Sequence, residues 1–500
     1  MNIDLKRVLG KFRQTLEPGK TLSQRAIRGG MWMLTLRIAE RLLGLVRTVV
    51  LARILAPDDF GVMGVTLLAM SALETISQTG FDVALIQRKE DVHKYLDTAW
   101  TIQVIRGLLL FGVLLAIAPL VAEFFDSPES IMITRVVATV ELLKGLTNTG
   151  VIYFQRDLDF RKRFVYQFGG TFANLATTLV AALLLRDVWA LALGLVTGQV
   201  LRCALSFLMH PYRPRLRVDW QKGGEIFGFG KWVTATSIVV FLAVNGDDAL
   251  LGKLLGTAAL GLYQMAYLFA NLAATEVTHI ISQVALPAYS RVQDNSDRLR
   301  SAFLKTLQTT LFLSTPMSVG VLFLGPDFVR IFLGEKWTPM VASLQILAIS
   351  GLIRATVATG GPLFNAASRP HLNFWMNLVR MAVMATTVFP LTRYYGLAGT
   401  SVAVLLGVLA GIPIWWRSSL QIIGRDTTSM LNQLIDILLV LLAMGIPVLV
   451  LKALLVRIGL FEFAVLTFIS VAGGVGMFWL LWKYFDRGPV KIIREVVVSI

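Results

Sequence analysis

The sequence predicts an all-α polytopic membrane protein of about fourteen transmembrane helices, arranged as two six-helix lobes followed by two further helices. Of the 500 residues, 55% are hydrophobic and only 16% are charged, whereas a soluble domain carries roughly 25% charged residues. Apolar runs of about 20 residues recur along the chain, and each is long enough to cross a hydrocarbon core of roughly 30 Å. A short motif also occurs twice, at an offset of 200 residues.

The N-terminal segment 1–28 carries seven Lys or Arg, and it lacks the apolar core that a cleaved signal peptide needs. We therefore expect the first spanning helix to remain in the mature protein. Ile3, Val8 and Phe12 recur at helical spacing among basic residues, which is typical of a helix that lies on a membrane surface. A disordered basic tail is the alternative interpretation of the same segment.

Apolar windows separated by loop signals predict the spans. They lie near residues 29–52, 60–85, 95–118, 131–152, 165–185, 188–209, 231–251, 262–286, 303–325, 340–365, 372–389, 395–416, 434–451 and 460–482. The predicted domains are an N-lobe at 29–209, a cytoplasmic inter-lobe linker at 210–230, a C-lobe at 231–417, a C-terminal helix pair at 434–482 and a basic tail at 483–500.

The distribution of basic residues predicts the orientation of the chain in the membrane. If the N-terminus is cytoplasmic, the inside segments together carry 28 Lys or Arg, and the outside loops carry 8. Because Lys and Arg accumulate in cytoplasmic loops, this bias predicts that both termini are cytoplasmic. The net charge of +16 is therefore interpreted as a signature of orientation, and no nucleic-acid partner is predicted.

The repeated motif predicts how the two lobes are related. LARILAPDDFG at Leu51–Gly61 has a counterpart, LGKLLGTAALG, at Leu251–Gly261. Each copy follows the first helix of its lobe, so the repeat unit is predicted to contain six helices. An even unit gives both copies the same orientation, as in transporters with parallel repeats, and favours a cavity between the lobes. A chance match of common membrane residues is the alternative.

Charged residues within the spans point to the candidate site. A charge at mid-bilayer costs roughly 2.5 kcal/mol or more, so it normally faces a cavity or a partner. Arg37, Glu40, Arg41 and Arg47 lie on one face of the first span, at about 100° per residue. Arginine suits phosphate because its planar fork donates two parallel hydrogen bonds. An internal ion-pair network through Glu40 is the alternative.

Further polar residues occur in the second, seventh, eighth and tenth spans. The residues predicted to line a substrate cavity are Arg37, Arg41, Arg47, Glu74, Asn271 and Arg354. Asp247, Asp248 and Glu276 are candidates for ion coupling, since a desolvated carboxylate titrates closer to neutral pH. These three carboxylates are equally well interpreted as partners of the first-span arginines, and the sequence assigns no partner to Arg354 or Arg380.

No cofactor or metal site is predicted. The single cysteine, Cys203, excludes an internal disulfide, and the four histidines have no metal-site spacing. The sequence contains no Walker-type glycine loop, which argues against direct use of ATP. A proton or sodium gradient, or consumption of the product, is the expected source of energy.

At two places the sequence resembles the Wzx-type polysaccharide flippases. These are LARILAPDDFGVMGV with TGFDVALIQRKED in the first lobe, and NGDDALLGKLLGTAALGLYQMAY in the second. The resemblance covers about residues 25–420, and the superfamily also includes the MATE drug exporters and the lipid II flippase MurJ. The first-span arginines match a family tendency for basic residues there, and Asp247 matches a recurrent acidic position.

This resemblance implies a V-shaped transporter in the bacterial cytoplasmic membrane. It would move undecaprenyl-pyrophosphate-linked oligosaccharide to the outer leaflet by alternating access, coupled to an ion gradient. Membrane lipids, a polysaccharide polymerase and an export machinery are the implied partners, and capsule, exopolysaccharide or lipopolysaccharide is the implied product.

Two other functions are compatible with parts of the sequence. Cation-coupled multidrug export by the same fold favours a cavity rich in acidic and aromatic groups, and the cationic first span argues against it. A membrane-bound polymerase or glycosyltransferase usually carries a large outside loop, whereas the longest outside loop predicted here has about 14 residues. The sequence therefore predicts a transporter and not an enzyme.

Overall fold

Helices form all the regular secondary structure in the part of the chain that the computed structural model describes. It describes residues 22–77, 93–157, 159–217, 241, 244–424, 426–455 and 458–485. The chain divides into two compact units, Met1–Gly246 and Asp247–Ile500.

The first unit is built from long helices that pair with their neighbours in sequence. Its helices are α1 Leu22–Ile54, α2 Pro57–Ile76, α3 His93–Phe124, α4 Ser130–Leu146, the short α5 Ile152–Arg156, α6 Phe160–Leu185 and α7 Trp189–Met209. The pairs α3 with α4 and α6 with α7 form the largest helix contacts of the unit. Glycines allow this proximity, since a Cβ atom built on Gly107 of α3 would lie 2.8 Å from Cα of Gly145 in α4.

An extended segment, residues 210–217, follows α7 and lies against the beginning of α3. The hydroxyl of Tyr212 and the backbone N–H of Arg215 both donate to the Asp97 carboxylate, the latter at 3.0 Å. The His210 ring stacks on Tyr153 with 5.4 Å between centroids, and its Nδ1 accepts the Tyr212 backbone N–H at 3.1 Å. These contacts fix the beginning of the connection that leads to the second unit.

The second unit contains nine α-helices among the described residues, the first of which begins three residues before the boundary at Asp247. They are α8 at 244–255, α9 Thr257–Ala270, α10 Leu272–Val292, α11 Ser296–Phe328, α12 Val341–Ala358, α13 Gly360–Ala366, α14 His371–Ile422, α15 Thr427–Leu454 and α16 Leu460–Phe485. A core of large side chains, including Tyr289, Phe303, Phe364 and Trp415, joins α10, α11, α13 and α14. The last two helices, α15 and α16, pack on α11 through a separate apolar cluster.

The two copies of the repeated motif have similar local structure. In the first copy, α1 ends at Ile54 and α2 begins at Pro57. In the second copy, α8 is helical to residue 255 and α9 begins at Thr257. The residue between them is Gly256, with φ 84° and ψ 179°, a conformation that essentially only glycine adopts. Both copies are therefore a helix, a break of one or two residues and a second helix.

The prediction of an all-helical, multi-pass membrane protein is confirmed. Within the described ranges, nine helices are long and apolar enough to cross a membrane. The count of fourteen spans and the domain bounds remain predictions. Residues 1–21 of the N-terminal segment and residues 218–230 of the inter-lobe linker lie outside the described residues.

Several predicted spans differ in detail from the helices. The eighth and tenth predicted spans are each two helices, which meet at Asn271 and Thr359. The eleventh and twelfth are assigned as one helix, interrupted by Gly396 at φ 58°. The second ends at Ile76, and its predicted continuation lies in the undescribed residues 78–92.

Candidate functional site: charged side chains within the membrane helices

In the first unit, a polar cluster connects α1, α6 and α7. Arg47 donates from Nη1 to Oδ1 of Asn174 at 2.7 Å. One turn away on α6, the hydroxyl of Thr171 accepts from Nη2 of Arg202 at 3.2 Å, and its proton is shared between the backbone carbonyl of Gln167 at 3.2 Å and Oε1 of Glu40 at 3.3 Å. The Nε atoms of Arg47 and Arg202 are buried and have no hydrogen-bond partner among the described residues. Both guanidinium groups therefore retain unused donors.

Small residues at the contact of α6 and α7 make this arrangement possible. A Cβ atom built on Gly170 would lie 2.8 Å from Cδ of Arg202. A Cβ atom built on Gly198 would lie 2.9 Å from Cβ of Asn174. Because both positions lack a side chain, the two helices approach closely and Arg202 and Asn174 fit between their backbones.

Within the predicted arginine face, Arg47 is placed against Asn174 of α6. Arg37, Arg41 and Arg47 lie half-buried on α1. The residues that the sequence reasoning missed are Thr171, Asn174 and Arg202. A signal for the first two exists, since Thr171, Asn174 and Thr178 form a stripe at helical spacing, and Thr178 donates to Asn174 at 3.2 Å.

A second charged network in the first unit joins α2, α3 and α4. Lys144 donates to the carboxylates of Glu74 and Glu141, the latter at 2.8 Å. Glu141 is only 2% exposed. Arg106 also donates hydrogen bonds to Oγ of Ser77 at 3.0 Å and to the backbone carbonyl of Glu74 at 3.3 Å. Two cations and two carboxylates balance here, so Glu74 is held in an ion-pair network.

In the second unit, the two predicted aspartates are bound by α9. The Tyr263 hydroxyl donates to Oδ2 of Asp247 at 2.7 Å, and Nε2 of Gln264 donates to Oδ2 of Asp248 at 3.1 Å. Both pairs are 16 residues apart, so α8 and α9 fold back on each other at Gly256. Asp247 is 3% exposed, and its carboxylate is therefore deeply enclosed.

Arginines from α12 and α14 complete the same cluster. Arg354 donates from Nη1 to the Tyr267 hydroxyl at 2.7 Å and from Nη2 to Oδ1 of Asn271. The Arg354 guanidinium carbon also lies 5.6 Å from the Tyr267 ring centroid, within the range of a cation–π contact. Arg380 is close enough to interact electrostatically with Asp247 and Arg354. The structure thus gives hydrogen-bond partners to Arg354, and it places Arg380 within the electrostatic influence of Asp247.

Predicted residues therefore meet in the second unit, where Asp247, Asp248, Asn271 and Arg354 contribute to one cluster with two tyrosines. The side chain of Glu276, on α10, lies outside the described residues. Within the described part of the chain, no group of three or more His, Cys, Asp or Glu side chains is arranged to hold a metal ion. The cluster combines two aspartates with two arginines, so its carboxylates can exchange protons or ions and its guanidinium groups can bind an anionic group.

Known proteins resemble the chain in sequence and in fold. The family model described as polysaccharide biosynthesis protein matches residues 50–342. The lipopolysaccharide biosynthesis protein WzxC of Escherichia coli K12 is 27% identical over 395 residues, which cover 77% of this chain and 79% of WzxC. These matches confirm the resemblance to polysaccharide transporters that the two motifs indicated.

The fold is also found in solved structures. The lipid II flippase MurJ in an inward closed conformation aligns with a TM-score of 0.69 at 15% identity, over 91% of this chain and all of MurJ. An inward-facing multidrug transporter of the MATE family aligns with a TM-score of 0.62 at 13% identity, over 78% of this chain and 96% of that one. These likenesses confirm a fold of the MurJ and MATE type. Because the family model covers more than half of the chain, the protein belongs to the polysaccharide biosynthesis protein family.

Proposed function

We propose that this protein is a flippase that moves a polyprenyl-pyrophosphate-linked oligosaccharide across the bacterial cytoplasmic membrane by alternating access. Its product would serve capsule, exopolysaccharide or lipopolysaccharide synthesis. Membership of the polysaccharide biosynthesis family and the fold shared with MurJ support this class of substrate. The solved structures that share the fold are a flippase and a multidrug transporter, which supports a function without chemical catalysis.

The observation that carries the proposal is the pair of arginines in the first unit. Arg47 and Arg202 lie on neighbouring sides of α6, and each keeps a buried Nε donor. A pyrophosphate is a strong acceptor for such donors, particularly where water is scarce. Arg37 and Arg41 lie on the same helix as Arg47 and extend the basic surface. Within this proposal they bind the pyrophosphate or the first sugar.

The second unit supplies the coupling groups in this proposal. Asp247, Asp248 and Glu276 bind a proton or Na⁺, and Arg354 and Asn271 contact the substrate or respond to the charge on Asp247. Binding of a cation beside Asp247 changes the electrostatic balance with Arg380, which gives the ion a way to favour one conformation. Fourteen spans, with both termini cytoplasmic, complete the proposed topology, and a polymerase with an export machinery would consume the product.

Reconstituted vesicles provide the test. Purified protein is inserted into liposomes, a labelled polyprenyl-pyrophosphate oligosaccharide is added outside, and its appearance on the inner leaflet is measured with and without an ion gradient. We expect Arg47→Ala to lower the rate by roughly tenfold to a hundredfold, as for the loss of a charge-assisted hydrogen bond. Arg53→Ala, at an exposed position of the same helix, is the matched control and should transport normally.

Multidrug export is the second candidate, because the cluster in the second unit combines two carboxylates with Tyr263 and Tyr267. Acidic and aromatic groups are the surroundings that organic cations prefer. The same vesicles loaded with a fluorescent cationic dye distinguish the two functions. Dye efflux that depends on Asp247, together with the absence of glycolipid translocation, would replace the flippase proposal with the exporter.

A further inference from the structure

Glu40 places a carboxylate among the arginines of the first unit, and the proposed function gives it no role. It lies on α1 between Arg37, one turn before it, and Arg41, the next residue. Its described hydrogen bond comes from the hydroxyl of Thr171, at 3.3 Å. The same hydroxyl accepts from Nη2 of Arg202 at 3.2 Å. A single hydroxyl group therefore separates the negative charge of Glu40 from the positive charge of Arg202.

Glu40 is held less firmly than the other carboxylates of this unit. The two carboxylates of the network between α2 and α4 form direct ion pairs with Lys144. Glu40 is held through a neutral hydroxyl, and the Thr171 proton has a second acceptor, the backbone carbonyl of Gln167 at 3.2 Å. If Glu40 moves away, Thr171 keeps this second acceptor, so no donor is left unsatisfied. Displacement of Glu40 from Thr171 therefore costs little.

The side chains of this cluster are not sealed inside the helix packing. Glu40, Thr171 and Arg202 are half-buried, and so is Arg47, which donates to Asn174 one turn further along α6. The charged groups around Glu40 are the arginines of its own helix and Arg202 from α7, whereas α6 contributes neutral side chains. An anion bound here therefore meets cations of α1 and α7 together with the Glu40 carboxylate.

The charge of such an anion decides what happens to Glu40. A carboxylate and a pyrophosphate both accept charge-assisted hydrogen bonds from guanidinium groups. A pyrophosphate carries more oxygen atoms and more charge, so it is the stronger ligand for the same arginines. Two negative groups at close range also repel each other strongly where water is scarce. Pyrophosphate and the Glu40 carboxylate should therefore exclude each other from this position.

We propose that Glu40 is an internal competitor for the pyrophosphate of the substrate, an inference that rests on the proposed function. In the empty site Glu40 lies against Thr171, beside Arg202. The incoming pyrophosphate displaces it, and the return of Glu40 to Thr171 assists release of the substrate on the other side of the membrane. The competition keeps the affinity low enough for turnover, since tighter binding is mostly slower dissociation.

The substitution Glu40→Gln tests this competition, because glutamine keeps an acceptor for Thr171 but carries no charge. Binding of inorganic pyrophosphate to the purified full chain in detergent is measured by calorimetry. Its dissociation constant should fall by about tenfold, since a repulsive charge is removed. In the reconstituted vesicles, both KM for the labelled polyprenyl-pyrophosphate oligosaccharide and kcat should fall, because the substrate binds more tightly and leaves more slowly.

Glu123→Gln is the matched control. Glu123 is an exposed carboxylate near the end of α3, in the same unit, and its loss should leave the dissociation constant, KM and kcat unchanged. If Glu40→Gln does not yield folded protein by size-exclusion chromatography, Glu40→Ala replaces it. Alanine is the best helix former, and the same changes in the three constants are expected.

Two results would overturn the proposal and leave the flippase function in place. One is translocation by the Glu40→Gln protein with unchanged KM and kcat. The other is weaker binding of pyrophosphate by this variant, which would make Glu40 a support of the site and not a competitor. The absence of glycolipid translocation by the unaltered chain would instead overturn the proposed function itself.

Discussion

At the residue scale, the hydrogen bonds of Arg354 depend most strongly on the residue being an arginine. Arg354 donates hydrogen bonds to Tyr267 and Asn271 from two different nitrogens. A lysine has a single ammonium nitrogen and cannot reproduce this geometry. We expect Arg354→Lys to lower the free energy of unfolding by about 1–3 kcal/mol, because one buried acceptor loses its donor. Thermal unfolding in detergent measures this.

The control for this substitution is Arg330→Lys. Arg330 is exposed and forms a surface ion pair with Glu335 at 3.3 Å, and such pairs contribute little to stability. We expect a change of less than about 0.5 kcal/mol there. Equal effects of the two substitutions would contradict a specific bidentate role for Arg354.

The same residues show what the sequence could and could not predict about the site. Asp247, Asp248, Asn271 and Arg354 were predicted because polar groups within an apolar span are costly and therefore conspicuous. Their hydrogen-bond partners were not predicted, since a tyrosine such as Tyr263 is common in membrane helices and does not by itself indicate a functional site. Which residues meet depends on helix packing, and packing is not encoded in a hydropathy pattern.

At the element scale, the turn between α8 and α9 depends on Gly256. Its φ of 84° and ψ of 179° cost a residue with a side chain about 1–3 kcal/mol. A Cβ atom there meets no other atom within 4 Å, so the cost of Gly256→Ala is conformational alone. We expect this variant to unfold at a lower temperature and to lose the alignment of Asp247 with Tyr263.

Gly112→Ala is the comparison for this prediction. Gly112 lies inside α3, and a Cβ atom there also meets nothing within 4 Å. Because alanine is the better helix former, Gly112→Ala should be neutral or stabilising by up to about 1 kcal/mol. A Gly256→Ala protein as stable as the Gly112→Ala protein would show that the turn tolerates a side chain.

The extended segment 210–217 begins with a histidine, His210, whose protonation should make this segment sensitive to pH. Burial, aided by the charges of Lys162 and Arg213, holds the pKa of His210 below its ordinary value, although Asp157 acts in the opposite direction. Its neutral ring accepts the Tyr212 N–H. A lowered pKa means that this stabilisation is complete above about pH 6.5 and is lost as the pH falls below it.

Limited trypsin digestion measures this effect, since the cleavable residues Arg215 and Arg217 lie in the extended segment. The unaltered chain should be cleaved there more readily at pH 5.5 than at pH 7.5. His210→Gln keeps an acceptor but cannot be protonated, so its cleavage at each pH corrects for the activity of trypsin itself. The same ratio of the two proteins at both pH values would exclude His210 as the sensor.

Helix positions were predicted more fully than helix interruptions. Long apolar windows marked α11, α15 and α16 because only a spanning helix satisfies the backbone in lipid. The breaks at Asn271, Thr359 and Gly396 interrupt the helix but not the hydrophobicity. A hydropathy window averages over about 19 residues, so a break of one residue within an apolar run leaves no signal in it.

At the scale of the whole molecule, the predicted topology rests on the distribution of basic residues. Five predicted spans separate Glu129, in an outside loop, from Asp294, in an inside loop, and an odd number places the two on opposite sides. Both side chains are exposed. After Cys203→Ser removes the single cysteine, Glu129→Cys and Asp294→Cys each introduce one thiol for labelling.

In intact cells with a permeabilised outer membrane, an impermeant maleimide should label Glu129→Cys and should spare Asp294→Cys. After the cytoplasmic membrane is opened, both should react. Labelling of both in intact cells would mean that an even number of spans separates them. The span at 231–251 would then be the first to reconsider, because it carries Asp247 and Asp248, whose insertion is the most costly.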